Sequence, residues 1–382
     1  MSALDVSTAA RLRIRAQGLL RTAPDRPVAE VAQAFGAHQA QDLPGVMASL
    51  ALRARPRDPA AGLAEVAEAF SSGALVRGYP MRGTVFAVAA EDLRWMTELC
   101  SAGPVRAARK RRPQLGLEEQ HVTCAREAFE RIATPASAPG SGRGVLRAEV
   151  FAEWERAGLD TGGGRGYHLL THLISTGAAA YGPWREEETA LVHAESWLPA
   201  GSSLGERFGG DPTAATAELL RRYLVSHGPA TLRDFAWWTK LPLGQVRKAL
   251  PLIADDLETA EPAACGLPGE EPALLRPGLL EEHAAAPRQA LAELLLPGFD
   301  ELVLGYPDRL FLMTAEQHTA LVPGNNGVFK RGAFRGARLV GTWTRTGAAG
   351  RRKLVLDALA PLTPAQRARF ERLFAAFPYT RP

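Results

Sequence analysis

Apolar positions along the first ninety residues recur first at helical spacing and then alternate. Residues 7–20 (STAARLRIRAQGLL) place Leu12, Leu19 and Leu20 on or near one face of an amphipathic helix. Pro27 in a first turn opens a second helix, which runs through Phe35 and closes at Gly36. After HQAQ, Pro44 starts a third helix that reaches Leu52, and a short one follows over residues 62–70. The period then changes to two. Residues 74–79 and 83–88 are strand-like runs joined by a tight Pro80-Met81-Arg82 connection. Helices followed by a hairpin are the outline of a winged helix-turn-helix.

That outline recurs. Residues 119–133 are helical, 134–144 (TPASAPGSGRG) read as a linker, and helices follow at 146–157 and 166–176, the latter opened by a glycine turn. Strands at 178–181 and 189–192 flank a GPWREEE tip, a second wing. In a third copy, the helix at 213–226 is broken by His227-Gly228-Pro229. A short helix capped from Thr231 runs through Lys240, and a basic helix spans 242–254. Residues 255–290, rich in Pro, Gly and acid, are a long loop or ribbon. Short β runs at 302–304, 310–313, 337–343 and 353–357 then predict a small barrel or sheet, closed by a helix over 364–377. The expectation is an α+β chain of about three tandem winged-helix units forming a concave scaffold, with a β-rich C-terminal part. Its divisions fall at 1–112, 113–200, 201–290 and 291–382.

Composition narrows the function classes. A 46% hydrophobic, 23% charged chain of 382 residues is that of an ordinary globular protein. There is no run of about eighteen apolar residues to span a membrane, and the N-terminus has no signal-peptide core, so a cytoplasmic monomer is expected. Cys100, Cys124 and Cys265 are too few and too scattered for a disulfide framework or a zinc site. Of the 45 basic residues only five are lysines. Arginine presents a rigid fork of donors suited to phosphate, so even a bias of coding makes the surface competent for nucleic acid.

Several chemical motifs fail on inspection. His168 and His172 stand four apart without the intervening glutamate of a zinc hydrolase, and the Gly162–Gly166 run lacks the Lys-Ser/Thr of a nucleotide loop. No metal and no cofactor are expected. The run VRAARKRR carries Arg109, Lys110, Arg111 and Arg112. It is either a solvated helix face or, with Arg53, Arg55, Arg77 and Arg82, part of a surface that follows a phosphate backbone. Trp184 and Arg185 at the second wing either probe a minor groove or pack on the body. The stretch His38-Gln39-Ala40-Gln41-Asp42 reads on its own residues as a polar turn or as a site.

A resemblance bears on that last choice. GAHQAQDLPG followed by LVRGYPMRGTVFAVAAEDLRWM resembles the winged-helix DNA glycosylases that unhook interstrand crosslinks, among them azinomycin self-resistance and bacterial repair enzymes. The likeness continues in HLISTGAAAYGP, in LLPGFDELVLGYPDRLFL and in NNGVFKRGAFRGARLVGTWTR, in order along nearly the whole chain. It implies a catalytic Gln-apolar-Gln motif at Gln39 and Gln41 and a substrate of duplex DNA carrying alkylated purines; His38 and Asp42, flanking that motif, are the candidates to assist it. It also implies a role in alkylation repair or self-resistance to a DNA-alkylating natural product. Phe86 departs from the pattern, standing where many relatives carry histidine. A winged-helix transcriptional regulator, or a protein that sequesters the alkylating compound, would share the basic surface but leave Gln39 and Gln41 without a purpose.

Overall fold

The computed structural model describes residues 6–137, 143–185, 188–260, 272–348 and 351–379. The middle of the 134–144 linker, positions 186–187 of the second wing tip, residues 261–271 and with them Cys265 lie outside the described residues. The chain divides into two compact units: one takes Ala67–Thr216 with Thr239–Leu241, and the other takes the rest. One strand, β1 (His38–Gln39), precedes the first hairpin in the chain.

In the first of these units, β2 (Leu75–Met81) and β3 (Thr84–Ala89) form the first hairpin, and β4 (Ala179–Arg185) and β5 (Glu188–His193) the second. The two-residue turn between β2 and β3 is built from Arg82 at φ 57° and Gly83 at φ 69°. Left-handed backbone at both central positions is the turn whose twist matches antiparallel strands. The two hairpins are joined: β2 pairs with β4 at Arg77 and Tyr181, which makes them one antiparallel sheet. Every residue of β2 is buried, because it lies between β3 and β4 and beneath the helix Ala90–Cys100.

The other unit gathers the helices Val6–Ala16, Val28–Phe35 and Leu43–Ala54 with most of the C-terminal half. The expected short capped helix forms at Leu232–Thr239, with the Thr231 N–H donating to Asp234 Oδ2 at 2.9 Å and the Asp234 N–H to Thr231 Oγ1 at 3.1 Å. This reciprocal cap satisfies two otherwise orphaned groups at the helix start. Residues expected as a long loop or ribbon contain β6 (Glu258–Ala260) paired with β7 (Ala273–Leu275), then a helix at Leu279–Ala285.

The C-terminal β structure is an open sheet of β8 (Glu293–Leu295), β9 (Arg331–Arg335), β10 (Arg338–Thr346) and β11 (Lys353–Ala358), in the order 11-10-9-8. The helix Pro364–Ala375 covers it, burying Trp343, Phe370, Phe374 and Phe377 in one core. Two expected strands are corrected here. Residues 302–304 fall in the helix Glu301–Leu304, because Asp300 caps it by accepting the Leu302 N–H at 2.9 Å. Residues 310–313 form turns, with Phe311 buried edge-on against Tyr306 at 5.1 Å. Short apolar runs bury equally well in either backbone, so period alone does not separate them.

Candidate functional site

The stretch 38–42 is strung between two helices. Val28–Phe35 closes at Gly36, and Leu43–Ala54 opens with Asp42 at its N-cap and Pro44 in its first turn. Gly45 permits this entry: a Cβ there would lie 2.8 Å from both the Asp42 carboxylate and the Gly298 carbonyl. Along the stretch, His38 and Ala40 are fully buried, Gln39 is 8% exposed, Asp42 is half-buried and Gln41 faces solvent.

Gln39 is anchored from behind. Its backbone N–H donates to Glu301 Oε1 at 2.6 Å, and its side-chain Oε1 accepts the Ala40 N–H at 3.0 Å. Glu301 is 1% exposed, and its second oxygen lies 3.5 Å from His227 Nε2. The His227 ring stacks on Tyr223 at 4.5 Å, and the Tyr306 hydroxyl donates to the His227 carbonyl at 2.7 Å. Next along the chain, Asp300 receives both ends of the Arg53 guanidinium at 2.9 Å and the Ser49 hydroxyl at 2.7 Å. Burial alone would raise the Asp300 pKa, but the Arg53 charge and hydrogen bonds outweigh it and hold the carboxyl ionised. His38, stacked on Phe35 at 4.5 Å, is kept neutral first by burial and then by the Arg53 charge. The acidic pair Asp300-Glu301 thus supports the motif from the far end of the chain. Its signal in the sequence was two adjacent carboxylates inside the apolar run LLPGFDELVLGYP.

The basic residues separate by burial. Arg53, Arg77 and Arg112 are 2%, 9% and 6% exposed. Arg53 holds Asp300. Arg77 donates to Thr189 at 2.9 Å and lies over the Tyr181 ring, and Arg112 joins Glu119 at 2.5 Å and the His172 ring at 3.1 Å. These three are internal ties, and the expectation that they face phosphate is corrected. Each spends its Nη groups on protein acceptors, and the Nε–H that is left is buried and closed to a strand. Arg55 is tied to Glu65 at 2.8 Å and Arg185 to Glu149 at 2.7 Å, both partly exposed. Arg82 lies over the Phe86 ring, Trp184 is half-buried beside Arg185, and Phe86 itself is fully buried. Arg109, Lys110 and Arg111 are exposed at the end of the helix Ala102–Arg109.

A family model described as DNA glycosylase AlkZ-like matches residues 32–378. The chain belongs to the AlkZ-like DNA glycosylase family. An interstrand DNA cross-link repair glycosylase of Streptomyces sahachiroi is 27% identical over 180 residues, 46% of this chain. The match spans 45% of that relative's length, about half. The solved structure of the S. sahachiroi DNA glycosylase AlkZ superposes with a TM-score of 0.69 at 20% identity, covering 99% of both chains, and shows the same fold. Among the described residues no helix is long and apolar enough to cross a membrane.

Proposed function

We propose that this protein is a monofunctional DNA glycosylase that hydrolyses the N-glycosidic bond of N7-alkylated purines in duplex DNA, including purines joined in interstrand crosslinks. The observation that carries the reading is the pairing of an anchored Gln39, held on buried Glu301, with a solvent-facing Gln41 one residue beyond Ala40.

Two amides suffice for this substrate class. An N7-alkylated purine already carries positive charge, so when the C1′–N9 bond breaks it takes the bonding pair and leaves neutral, without a general acid. What remains is to present water to the oxocarbenium-like sugar and to stabilise the charge developing there. Glutamine carbonyls accept the hydrogens of a water and direct its oxygen, although an amide is too weak a base to take the proton outright. Water's oxygen bonds to C1′ and its proton passes to Asp42 or to solvent. Unmodified purines lack the cationic leaving group and are spared. His38, buried and neutral, supports the motif without reaching the substrate. In this reading Arg109, Lys110 and Arg111 meet the phosphate backbone, with Trp184 and Arg185 at the second wing as further contacts. The biological setting is alkylation repair or self-resistance.

The reading is tested on duplexes carrying N7-methylguanine or an N7–N7 crosslink, incubated with wild type, Gln39→Ala and Gln41→Ala and then treated with alkali. Strand breaks that fall about a hundredfold in either variant establish the assignment. Tight binding without breaks on either duplex overturns it.

A further inference from the structure

We propose that Arg331, Arg345 and Arg352 form a seat for a phosphodiester of the DNA strand, beside the Gln39–Asp42 stretch. The strand register puts all three on one face of the C-terminal sheet. Arg331 is opposite Trp343, Arg345 follows Trp343 by two and is opposite Leu354, and Arg352 precedes Leu354 by two. The guanidinium of Arg331 lies 5.3 Å from the Trp343 ring and that of Arg345 lies 4.6 Å from the Tyr379 ring, with the two rings 6.3 Å apart. Stacking of this kind fixes the plane of an arginine fork while leaving its N–H edge to an in-plane acceptor.

Among the described residues no side-chain acceptor meets that edge. Arg345 Nη1 and the Tyr379 hydroxyl are both buried without a hydrogen-bond partner, and among the described residues none of the three arginines is ion-paired. Arg53, Arg77 and Arg112 also leave an Nε–H unpartnered, but unlike Arg345 each gives its Nη groups to a protein partner. Burial, then the charges of Arg352 and Arg331, make the cation at Arg345 harder to hold. An arrangement of like charges around an unsatisfied donor is relieved by an anion.

The surroundings select which anion. Asp42, Pro44, Gly45 and Pro297 line the same cleft as Arg331 and Arg345. The cleft wall therefore continues from the candidate catalytic stretch, and the Asp42 carboxylate offsets part of the positive charge. Charge alone would admit a mono- or a dianion; continuity with the Gln39–Asp42 stretch, which meets DNA in the proposed function, selects the diester of a strand. A phosphate gripped here fixes the strand relative to Gln39 and Gln41, as contacts to the backbone set register rather than sequence.

The inference takes duplex DNA from the proposed function, so it is tested by binding, not cleavage. A duplex with one stable abasic analogue fixes the register, and a single uncharged methylphosphonate is walked along the strand near it. Wild type, Arg345→Gln and Arg352→Gln are compared, with thermal unfolding reporting whether each folds. Arg352 carries no ring stack, so its variant stands where Arg345→Gln loses packing. Each variant is expected to bind the plain duplex about tenfold more weakly, with a salt slope shallower by about 0.9 for the lost phosphate. One methylphosphonate position is expected to weaken wild type by a similar factor and to leave both variants unaffected. Variants matching wild type in affinity, salt slope and methylphosphonate profile overturn the seat. Stabilisation of wild type alone by inorganic phosphate, with duplex binding unchanged in the variants, overturns it in favour of a free-anion site. Failure of wild type to bind any duplex counts against the proposed function itself.

Discussion

The backbone N–H of Gln39 and the carboxylate of Glu301, 262 residues apart in the chain, meet at 2.6 Å in a site closed to solvent. Glu301 touches the main chain rather than the Gln39 side chain, so it is a positioning residue for the amide. Glu301→Gln keeps the volume and an acceptor oxygen but loses the charge. It is expected to lower kcat by about tenfold with KM nearly unchanged, whereas Glu301→Ala, which leaves the N–H unpaired, is expected to cost stability as well. Single-turnover cleavage alongside urea unfolding separates the two effects, and a fall in activity that merely tracks stability would reduce Glu301 to a structural role.

Gln41 presents the opposite case. Its side chain is exposed, so Gln41→Ala is expected to leave the unfolding free energy in urea within about 0.5 kcal/mol of wild type while single-turnover cleavage falls about a hundredfold. Gln39→Ala is expected to lose activity comparably but also some stability, since Gln39 is buried and its side chain caps the Ala40 N–H. Equal stability losses in both variants would contradict this division between an anchored and a free amide.

The Arg53–Asp300 pair is closed on both sides, with side-chain exposures of 1% and 0%. Removing one member strands the other as a buried charge, and Arg53→Met is expected to cost about 3–5 kcal/mol in urea unfolding. The replacement of both members by apolar residues is expected to recover part of that loss. Asp300 is held ionised below its ordinary pKa when folded. Its contribution is therefore complete above the unfolded carboxylate range near pH 4 and fades as pH falls below it.

How far these features were legible in the sequence depends on the range of the interaction that decides them. The cap at Thr231–Asp234 spans three residues and is visible in the chain. The helices flanking the Gln39–Gln41 stretch announce themselves through Pro44 and Gly36. Arg53 and Arg109 look alike in sequence, yet one is buried because Asp300 waits 247 residues away and the other, among the described residues, meets no such carboxylate and stays exposed. The two wings read as independent hairpins because each has its own turn, and nothing local foretells that Arg77 will pair with Tyr181. Gln39 and Gln41 stood out only by resemblance, since a polar turn satisfies the same five residues. Residues 302–304 were misread as strand because the decisive cap, Asp300, precedes the apolar run it commits to a helix.

Gly45 tests the close approach behind the motif. A methyl at this position meets the Gly298 carbonyl, which is backbone and cannot swing aside, and the Asp42 carboxylate, both at 2.8 Å. Gly45→Ala is therefore expected to be destabilising despite the better helix propensity of alanine, by about 1–3 kcal/mol. It should also move Asp42, so activity on N7-methylguanine should fall further than the stability loss explains. A stabilised Gly45→Ala variant would show that the helix start can shift freely.

Buried histidines set the response to acid. His38 and His227 are held neutral mainly by burial, and His172 is brought down to about 4 by burial and the Arg112 charge. Below the ordinary histidine value near pH 6.5 the unfolded chain takes up protons that the folded chain refuses, so stability drops as pH falls. Each group adds a slope of up to about 1.4 kcal/mol per pH unit, persisting down to its own folded value. The three act together just below the ordinary histidine value and His172 continues down to about 4, so urea midpoints are expected to fall as pH drops below about 6.5, while stability above pH 7 is nearly flat on their account. His38→Leu removes one of these groups at similar volume and should make the fall shallower by about that single increment. An unchanged slope in His38→Leu would mean that His38 takes up its proton in the folded state and is not held neutral by its surroundings.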